Sequence, residues 1–370
     1  MNVLVTGGAG FIGSHTVDLL LTQGHAVRIF DNLTPPVHLN GQLPDYVPAA
    51  AEFVLGDVRD RSALNKALQG MDAVIHLAAY QDYLPDFSKF FHVNTVGTAL
   101  LYELIVEQRY PIQKVVVASS QAVYGEGKYR CPQHQVQYPG PRPEEQLRAG
   151  RWELTCPVCG GPLEWQRTDE THVNPHNQYA ISKYTQEMIA LNLGRRYQIP
   201  SVAMRFSITQ GPRQSFRNAY SGILRLFTMA LLHADAPVAY EDGRQMRDYV
   251  NVSDVARAIA LVLQDARADY RPFNVGGKEA ICVIDYAAAV AQIIGRDLEP
   301  QIPGEFRLGD TRHIVSDIGQ LQTLGWQPNV PLQQTIHDYV AWARSQPTFA
   351  NYYQEASRIM KKLGTVRSVA

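Results

Sequence analysis

Cysteine is scarce in this sequence: four in 370 residues, with three of them gathered at Cys131, Cys156 and Cys159. Most of the chain therefore has no use for cysteine chemistry, and a cluster in a reducing compartment points to metal ligation before disulfide pairing. Net charge is lacking too. The 34 basic and 35 acidic side chains leave a formal −1, so no global field draws the chain to nucleic acid or to an acidic membrane. No apolar run approaches the roughly 18 residues of a membrane span. The opening "MNVLVTGGAGFIG" has neither the basic start nor the long apolar core of a signal peptide, and a cytoplasmic protein is expected. The remaining composition, 45% hydrophobic and 19% charged, is that of an ordinary globular chain, long enough for two domains or a large α/β body with a smaller lobe.

The opening stretch is the most informative. Val3, Leu4 and Val5 read as a buried strand, and Gly7, Gly10 and Gly13 follow. Ile12, Thr16, Leu19 and Leu20 then recur at helical spacing,. In a strand–turn–helix unit the three glycines permit a tight turn, the approach of a pyrophosphate and close helix packing. The helix start, with Phe11 and Ile12, offers free N–H groups and a positive dipole end to phosphates. The second strand, "AVRIFDN", ends at Asp31 and Asn32, and Asp31 stands 18 positions after Gly13. That is close to the ~20-residue offset of an acid on the adenosine ribose. A carboxylate there repels a 2′-phosphate, so NAD is expected over NADP. A third strand, "EFVLGDV", sets Asp57 and Val58 at the adenine edge, and "AVIHLAA" adds Leu77, Ala78 and Ala79. With "KVVVASS" these strands alternate with helices, which predicts an α/β fold: a Rossmann-type doubly wound parallel sheet with its ligand beyond the strand carboxyl ends.

Two later segments carry reactive groups. "ASSQAVYG" closes the fifth strand at Ser120, and "NPHNQYAISKYTQE" opens a helix. Tyr179 and Lys183, four apart, share one face of that helix. A neighbouring ammonium and the nicotinamide-side field can draw a phenol down from ~10 towards neutrality and make it a base. Ser120 is placed to hydrogen-bond the same substrate oxygen. A Tyr-x-x-x-Lys pair is a common accident on helices; its place behind a dinucleotide-type front half gives it weight.

These motifs, together with "NTVGT", "EDGRQMRDYVNVSD" and "GDTRH", make the chain similar to the extended short-chain dehydrogenase/reductases, specifically the NAD-dependent nucleotide-sugar epimerases and dehydratases. The resemblance covers nearly all of the chain outside residues 131–163. It implies that Ser120, Tyr179 and Lys183 form a catalytic triad and that NAD stays bound through turnover. Tyr179 would take a proton from a sugar hydroxyl, while Lys183 also holds the nicotinamide ribose. The family's dehydratases follow the Ser/Thr with an Asp-Glu pair; Gln121 and Ala122 stand there and supply neither acid nor base. Epimerisation by oxidation and re-reduction, at C4 of the sugar, is the expectation. By the same resemblance Arg247 and Arg307 clamp a diphosphate, Gln81 and Tyr83 face the sugar, and two helices per subunit pair into a homodimer. Ile208 departs from the pattern, since it occupies the position of a phosphate-touching Asn. That leaves open an NAD-dependent dehydrogenase or reductase of another sugar or polar alcohol. A non-catalytic NAD-sensing protein would not need the Ser/Tyr/Lys set.

Cys131-Pro-Gln-His134 and Cys156-Pro-Val-Cys159 are two pairs with two intervening residues each, the spacing of a structural Cys₃His zinc site. Thiolates and imidazole suit zinc over magnesium or calcium. Four protein ligands leave no open position for chemistry. The 55 positions from Tyr124 to Tyr179 exceed what the resemblance implies, so 129–170 reads as an insertion forming a lid or wall at the substrate entrance. Residues 1–211 and 245–278 are assigned to the NAD-binding domain, and 212–244 and 279–370 to a smaller C-terminal α/β substrate lobe. Arg312 and His313 suit either a structural or a binding role. Cys282 is expected as a core thiol and the tail from about Thr348 as a solvated basic helix.

Overall fold

The unbroken apolar runs of the front half become strands buried on both faces, as parallel sheets require. In the computed structural model, which describes residues 1–38, 40–82, 84–216, 222–346 and 353–369, they are β1 (Asn2–Thr6), β2 (Ala26–Asp31), β3 (Glu52–Leu55), β4 (Ala73–His76) and β5 (Lys114–Ser120). Strands Ser201–Phe206 and Arg271–Val275 complete the sheet. The spatial order is Arg271–Val275, Ser201–Phe206, β5, β4, β1, β2, β3, and every neighbouring pair is parallel. Winding reverses between β1 and β4, and such a reversal opens a crevice at the strand carboxyl ends.

Alternate residues of β1 feed opposite cores, as a period of two dictates. Val3 and Val5 join the layer of helices Phe11–Thr22 and Val252–Gln264 through Val17, Leu20, Val255 and Ile259. Leu4 joins the opposite layer, covered by Leu64, Leu101, Ile105 and Ala190 of helices Arg61–Leu68, Gly97–Glu107 and Gln178–Tyr197. A third core is built from Phe227, Tyr286, Val290, Ile336 and Tyr339 on helices Ile223–Leu232, Val283–Ile294 and Leu332–Ser345. Beside it lies a sheet of strands Ile208–Gln210, Met246–Asn251 and Ala280–Cys282.

The segment 129–170 has its own small sheet, Gln135–Gln137, Tyr129–Cys131 and Glu164–Trp165, all antiparallel. It docks on residues 310–317, where Thr168 N–H donates to Val315 O (2.8 Å), and on Glu241, to both of whose carboxylate oxygens Arg142 donates (2.8 and 2.9 Å).

Two sequence expectations fail here. Cys282 is no core thiol; it is partly exposed at the start of helix Val283–Ile294, with Sγ 3.0 Å from Asp285 Oδ2. The tail is not a free helix. Thr348 lies outside the described residues, but helix Tyr353–Lys362 buries Met360, and Val366–Ser368 pairs antiparallel with Glu305–Arg307. A strand of three residues has too little periodicity to be read from sequence. None of the described helices is long and apolar enough to cross a membrane.

Candidate active site

The turn after β1 is where the backbone constrains the sequence most. Gly7 has φ +70°, and a Cβ on it would lie 2.7 Å from Ala78 N. A Cβ on Gly13 would lie 2.1 Å from Gly7 O. Neither position admits a side chain, so the turn sits against β4 and the first helix sits against the turn. Gly10 precedes that helix with no side-chain cap, which leaves its first N–H groups facing outward.

Beyond the strand ends lies a cavity of about 810 Å³, a volume suited to a bound small molecule. Gly7, Gly10, Phe11, Ile12, Gly13, Asp31, Asn32, Asp57, Val58, Leu77, Ala78 and Ala79 all line it. So do Ser120, Tyr179, Lys183, Gln81, Arg247 and Arg307. Tyr83 lies outside the described residues. One continuous cavity thus brings together groups far apart in the chain, from Gly7 to Ile314.

Each polar group has defined partners. Asp31 Oδ2 accepts from Ala9 N–H (3.1 Å) and Oδ1 from Leu33 N–H (3.0 Å), so the carboxylate ties β2 to the glycine turn. Asn32 Nδ2 donates to Asp57 Oδ2 (3.0 Å). Hydrogen bonds from Arg59 hold the Asp57 carboxyl down at about 2. Asn177 caps helix Gln178–Tyr197 by accepting from Ala180 N–H (2.9 Å), which sets Tyr179 in its first turn and Lys183 one turn on. Burial pushes the Tyr179 phenol up, and a hydrogen bond with Ser120 pulls it back. Lys183 Nζ donates to Ala118 O (2.6 Å) and Gln186 Oε1 (2.8 Å), and burial lowers it to about 7. The phenol is therefore raised, opposite to the sequence expectation, because desolvation outweighs the serine's hydrogen bond and Lys183 is directed at Ala118.

That lysine has a consequence for pH dependence. Between about 7 and about 10.4, its value in an unfolded chain, the unfolded state binds a proton that the folded state does not. Stability therefore rises with pH across this window, and below it the full cost of burying the charge stands. Cofactor-stripped protein is expected to resist urea better at pH 9 to 10 than near pH 7, and Lys183→Met to flatten that rise. Equal slopes in the two proteins would remove Lys183 as the cause.

Several residues that sequence reasoning missed organise the site. Asn94, in the π-helical turn Phe91–Val96, accepts from Tyr80 N–H (2.7 Å) and donates to Tyr80 O (3.0 Å) and Ser182 Oγ (2.9 Å). It thereby fixes the loop carrying Gln81 to helix Gln178–Tyr197; the "NTVGT" motif marked the place without revealing the role. His76 is buried between Thr6 (2.8 Å) and Thr98 (3.1 Å), and burial lowers it to about 3. Gln121, at the position of the dehydratase acid, is committed to Asp248 Oδ1 and Ser316 Oγ, both at 2.7 Å.

Arg247 does not pair with its neighbours Asp248 or Asp254. Its guanidinium donates to the carbonyls of Met246, Arg312 and Thr311 at the cavity wall. Arg307 stacks 5.0 Å over the Tyr240 ring. Ile208 lines the cavity and pairs in register with Tyr249. Arg312 and His313 face away from the cavity into the 129–170 segment: Arg312 binds Glu153, Glu241 and Asp242, and His313 binds Glu153.

Cys131, His134, Cys156 and Cys159 converge with their ligand atoms within 4.8 Å of one another. All four cysteines are free thiols. Cys131 Sγ lies 3.8 Å from Cys159 Sγ, and His134 Nδ1 lies 3.6 Å from both Cys131 Sγ and Cys156 Sγ. A tetrahedral centre with bonds of ~2.3 Å to sulfur and ~2.05 Å to nitrogen has edges of about 3.8 and 3.6 Å. The donor set and its spacing fit such a centre. The expected lid is not found, because no residue of 129–170 lines the cavity; the segment packs behind its wall.

The sequence pattern of the NAD dependent epimerase/dehydratase family matches residues 3–145 and 154–276. A dTDP-L-rhamnose 4-epimerase of Burkholderia thailandensis is 34% identical over 346 residues, covering 92% of this chain and 94% of that protein. Among solved structures, the UDP-glucose 4-epimerase of Thermotoga maritima with UDP-glucose is similar with a TM-score of 0.76 and 28% identity, over 93% of this chain and 99% of that one. The UDP-glucose 4-epimerase of Thermus thermophilus in complex with NAD gives a TM-score of 0.72 and 30% identity, with the same coverage.

Proposed function

The chain belongs to the NAD dependent epimerase/dehydratase family, and from that premise we propose that it is an NAD-dependent nucleotide-sugar 4-epimerase. The observation that carries the reading is the single cavity in which the glycine turn, Asp31, Ser120, Tyr179, Lys183, Arg247 and Arg307 meet. The turn and Asp31 fit NAD, since Gly7 and Gly13 exclude any Cβ from the cradle and the first helix presents free N–H groups to phosphate. When bound, NAD supplies a hydride acceptor that later returns the hydride. Ser120 and Tyr179 hold the reacting sugar hydroxyl; Tyr179 takes its proton as the carbonyl forms and gives it back on re-reduction. Lys183, one turn beyond the phenol and held on Ala118 O and Gln186 Oε1, fixes the ribose. Arg247 and Arg307 receive the diphosphate, and Gln81 faces the sugar. Water elimination is not supported, because Gln121 is an amide committed to Asp248 and Ser316 and Ala122 is a methyl group.

The test is to incubate the purified protein with UDP- and dTDP-hexoses. Interconversion of C4 epimers without net NADH is the expected result. Steady NADH accumulation with one substrate would instead establish the dehydrogenase alternative.

Cys131, His134, Cys156 and Cys159 hold a structural zinc ion in this reading, which ties the knuckles of 129–170 together and takes no part in the chemistry. Metal analysis should give about one zinc per chain, and less than half an equivalent in careful preparations would exclude it. The division of 1–211 and 245–278 from 212–244 and 279–370 is read as cofactor and substrate lobes. Ile181 and Met188, exposed seven apart on helix Gln178–Tyr197, support a homodimer through that face. A cytoplasmic location suits cysteines that form no disulfide,.

A further inference from the structure

The 129–170 segment stays out of the cavity, yet it is hydrogen-bonded to the strip of backbone that forms one cavity wall. Asp310, Thr311 and Ile314 line the cavity, and the carbonyls of Thr311 and Arg312 hold the Arg247 guanidinium at its edge. The opposite side of the same strip belongs to the segment. Arg142 donates to Asp310 O (2.8 Å) and to Glu241, next to the cavity residue Tyr240. Glu153 accepts from Arg312 Nε (3.0 Å) and Nη2.

Arg142 and Glu153 sit on the loop between the two halves of the metal cluster, after His134 and before Cys156. A further bond, from Arg142 to Trp152 O (3.0 Å), ties the loop to itself. Arg142 is 5% exposed and its partner Glu241 2%, so this is a buried pair whose geometry must be kept. A metal ion joining the ends of this loop removes the freedom it would otherwise regain.

We propose that the metal clip is a positioning device for the diphosphate-binding arginine. Zinc fixes the loop 135–155, Arg142 and Glu153 fix residues 310–312, and the carbonyls of 311 and 312 fix Arg247. The ligand class is a nucleoside diphosphate, and the inference rests on the zinc and epimerase readings above. Coupling of this kind is reciprocal: whatever zinc adds to diphosphate affinity, diphosphate adds to zinc affinity. The NAD end of the cavity is built from other strands and stands outside the chain of contacts.

Calorimetric titration of UDP and dTDP into the full chain, zinc-loaded and chelator-stripped, is the test. Affinity for the better of the two is expected to fall about tenfold on stripping, with NAD affinity held within about twofold. Saturating nucleotide should slow zinc release to a chromogenic chelator. Since stripping risks unfolding the segment, Arg142→Met is measured with zinc bound; its KM for the sugar nucleotide should rise about tenfold with kcat retained. Equal nucleotide affinity with and without zinc, or an unchanged KM in Arg142→Met, overturns the coupling alone. Zinc-loaded protein that binds neither nucleotide overturns the substrate reading as well.

Discussion

Replacing Tyr179 by Phe is expected to lower kcat by about 10³-fold, within the range assigned to a positioned acid–base group, while NAD binding is kept. The ring remains to fill its place at the first turn of helix Gln178–Tyr197, so the change removes one oxygen and its hydrogen bond with Ser120. Without that oxygen, neither Gln121 nor Lys183 is placed to take the proton of the sugar hydroxyl. Gln121 is an amide turned toward Asp248, and Lys183 is held on Ala118 O and Gln186. Steady-state rates of C4 interconversion, with bound NAD quantified in the same preparation, make the comparison. Activity within about tenfold of the parent would show that another base carries the reaction.

The second large effect concerns stability. Arg205, on strand Ser201–Phe206, donates to Glu187 Oε2 (3.0 Å) and Oε1 on helix Gln178–Tyr197, and to Tyr124 Oη (2.8 Å) and Glu170 O (3.0 Å). Both charged side chains are 3% exposed. Arg205→Met should destabilise the protein by about 3–5 kcal/mol, because it strands a buried carboxylate whose other partner is Ser119 Oγ. Arg205→Met combined with Glu187→Met should recover most of that loss, because no buried charge is left unpaired. Urea unfolding of the two single variants, the double variant and the parent completes the cycle. A single-variant loss below about 1 kcal/mol would mean that water reaches the carboxylate.

What the sequence disclosed was whatever obeys local rules. The glycine turn, the strands ending at Asp31 and Ser120 and the helix pairing Tyr179 with Lys183 depend on neighbours within one or two turns. Each was legible, as was the Cys/His spacing. What stayed hidden depends on residues distant in the chain. Asn94 gains its role from Tyr80 and Ser182. Arg312 is committed by Glu153, Glu241 and Asp242. The phenol of Tyr179 rises because of what surrounds it, which no spacing records. The lid expectation failed for the same reason: position between Ser120 and Tyr179 in the chain does not decide which face of residues 310–317 the segment covers.

The edge strand Arg271–Val275 pairs with Ser201–Phe206 in the main sheet, and the intervening chain supplies helix Ile223–Leu232 and two strands of the neighbouring small sheet, Ile208–Gln210 and Met246–Asn251. A ribosome delivering the chain at about 5–20 residues per second therefore holds an unfinished sheet while everything between those strands is being made. Neither body can close first and leave the other to follow. Truncation at about residue 265 should yield an insoluble fragment, and a separately expressed 266–370 piece should restore solubility only when both are produced together.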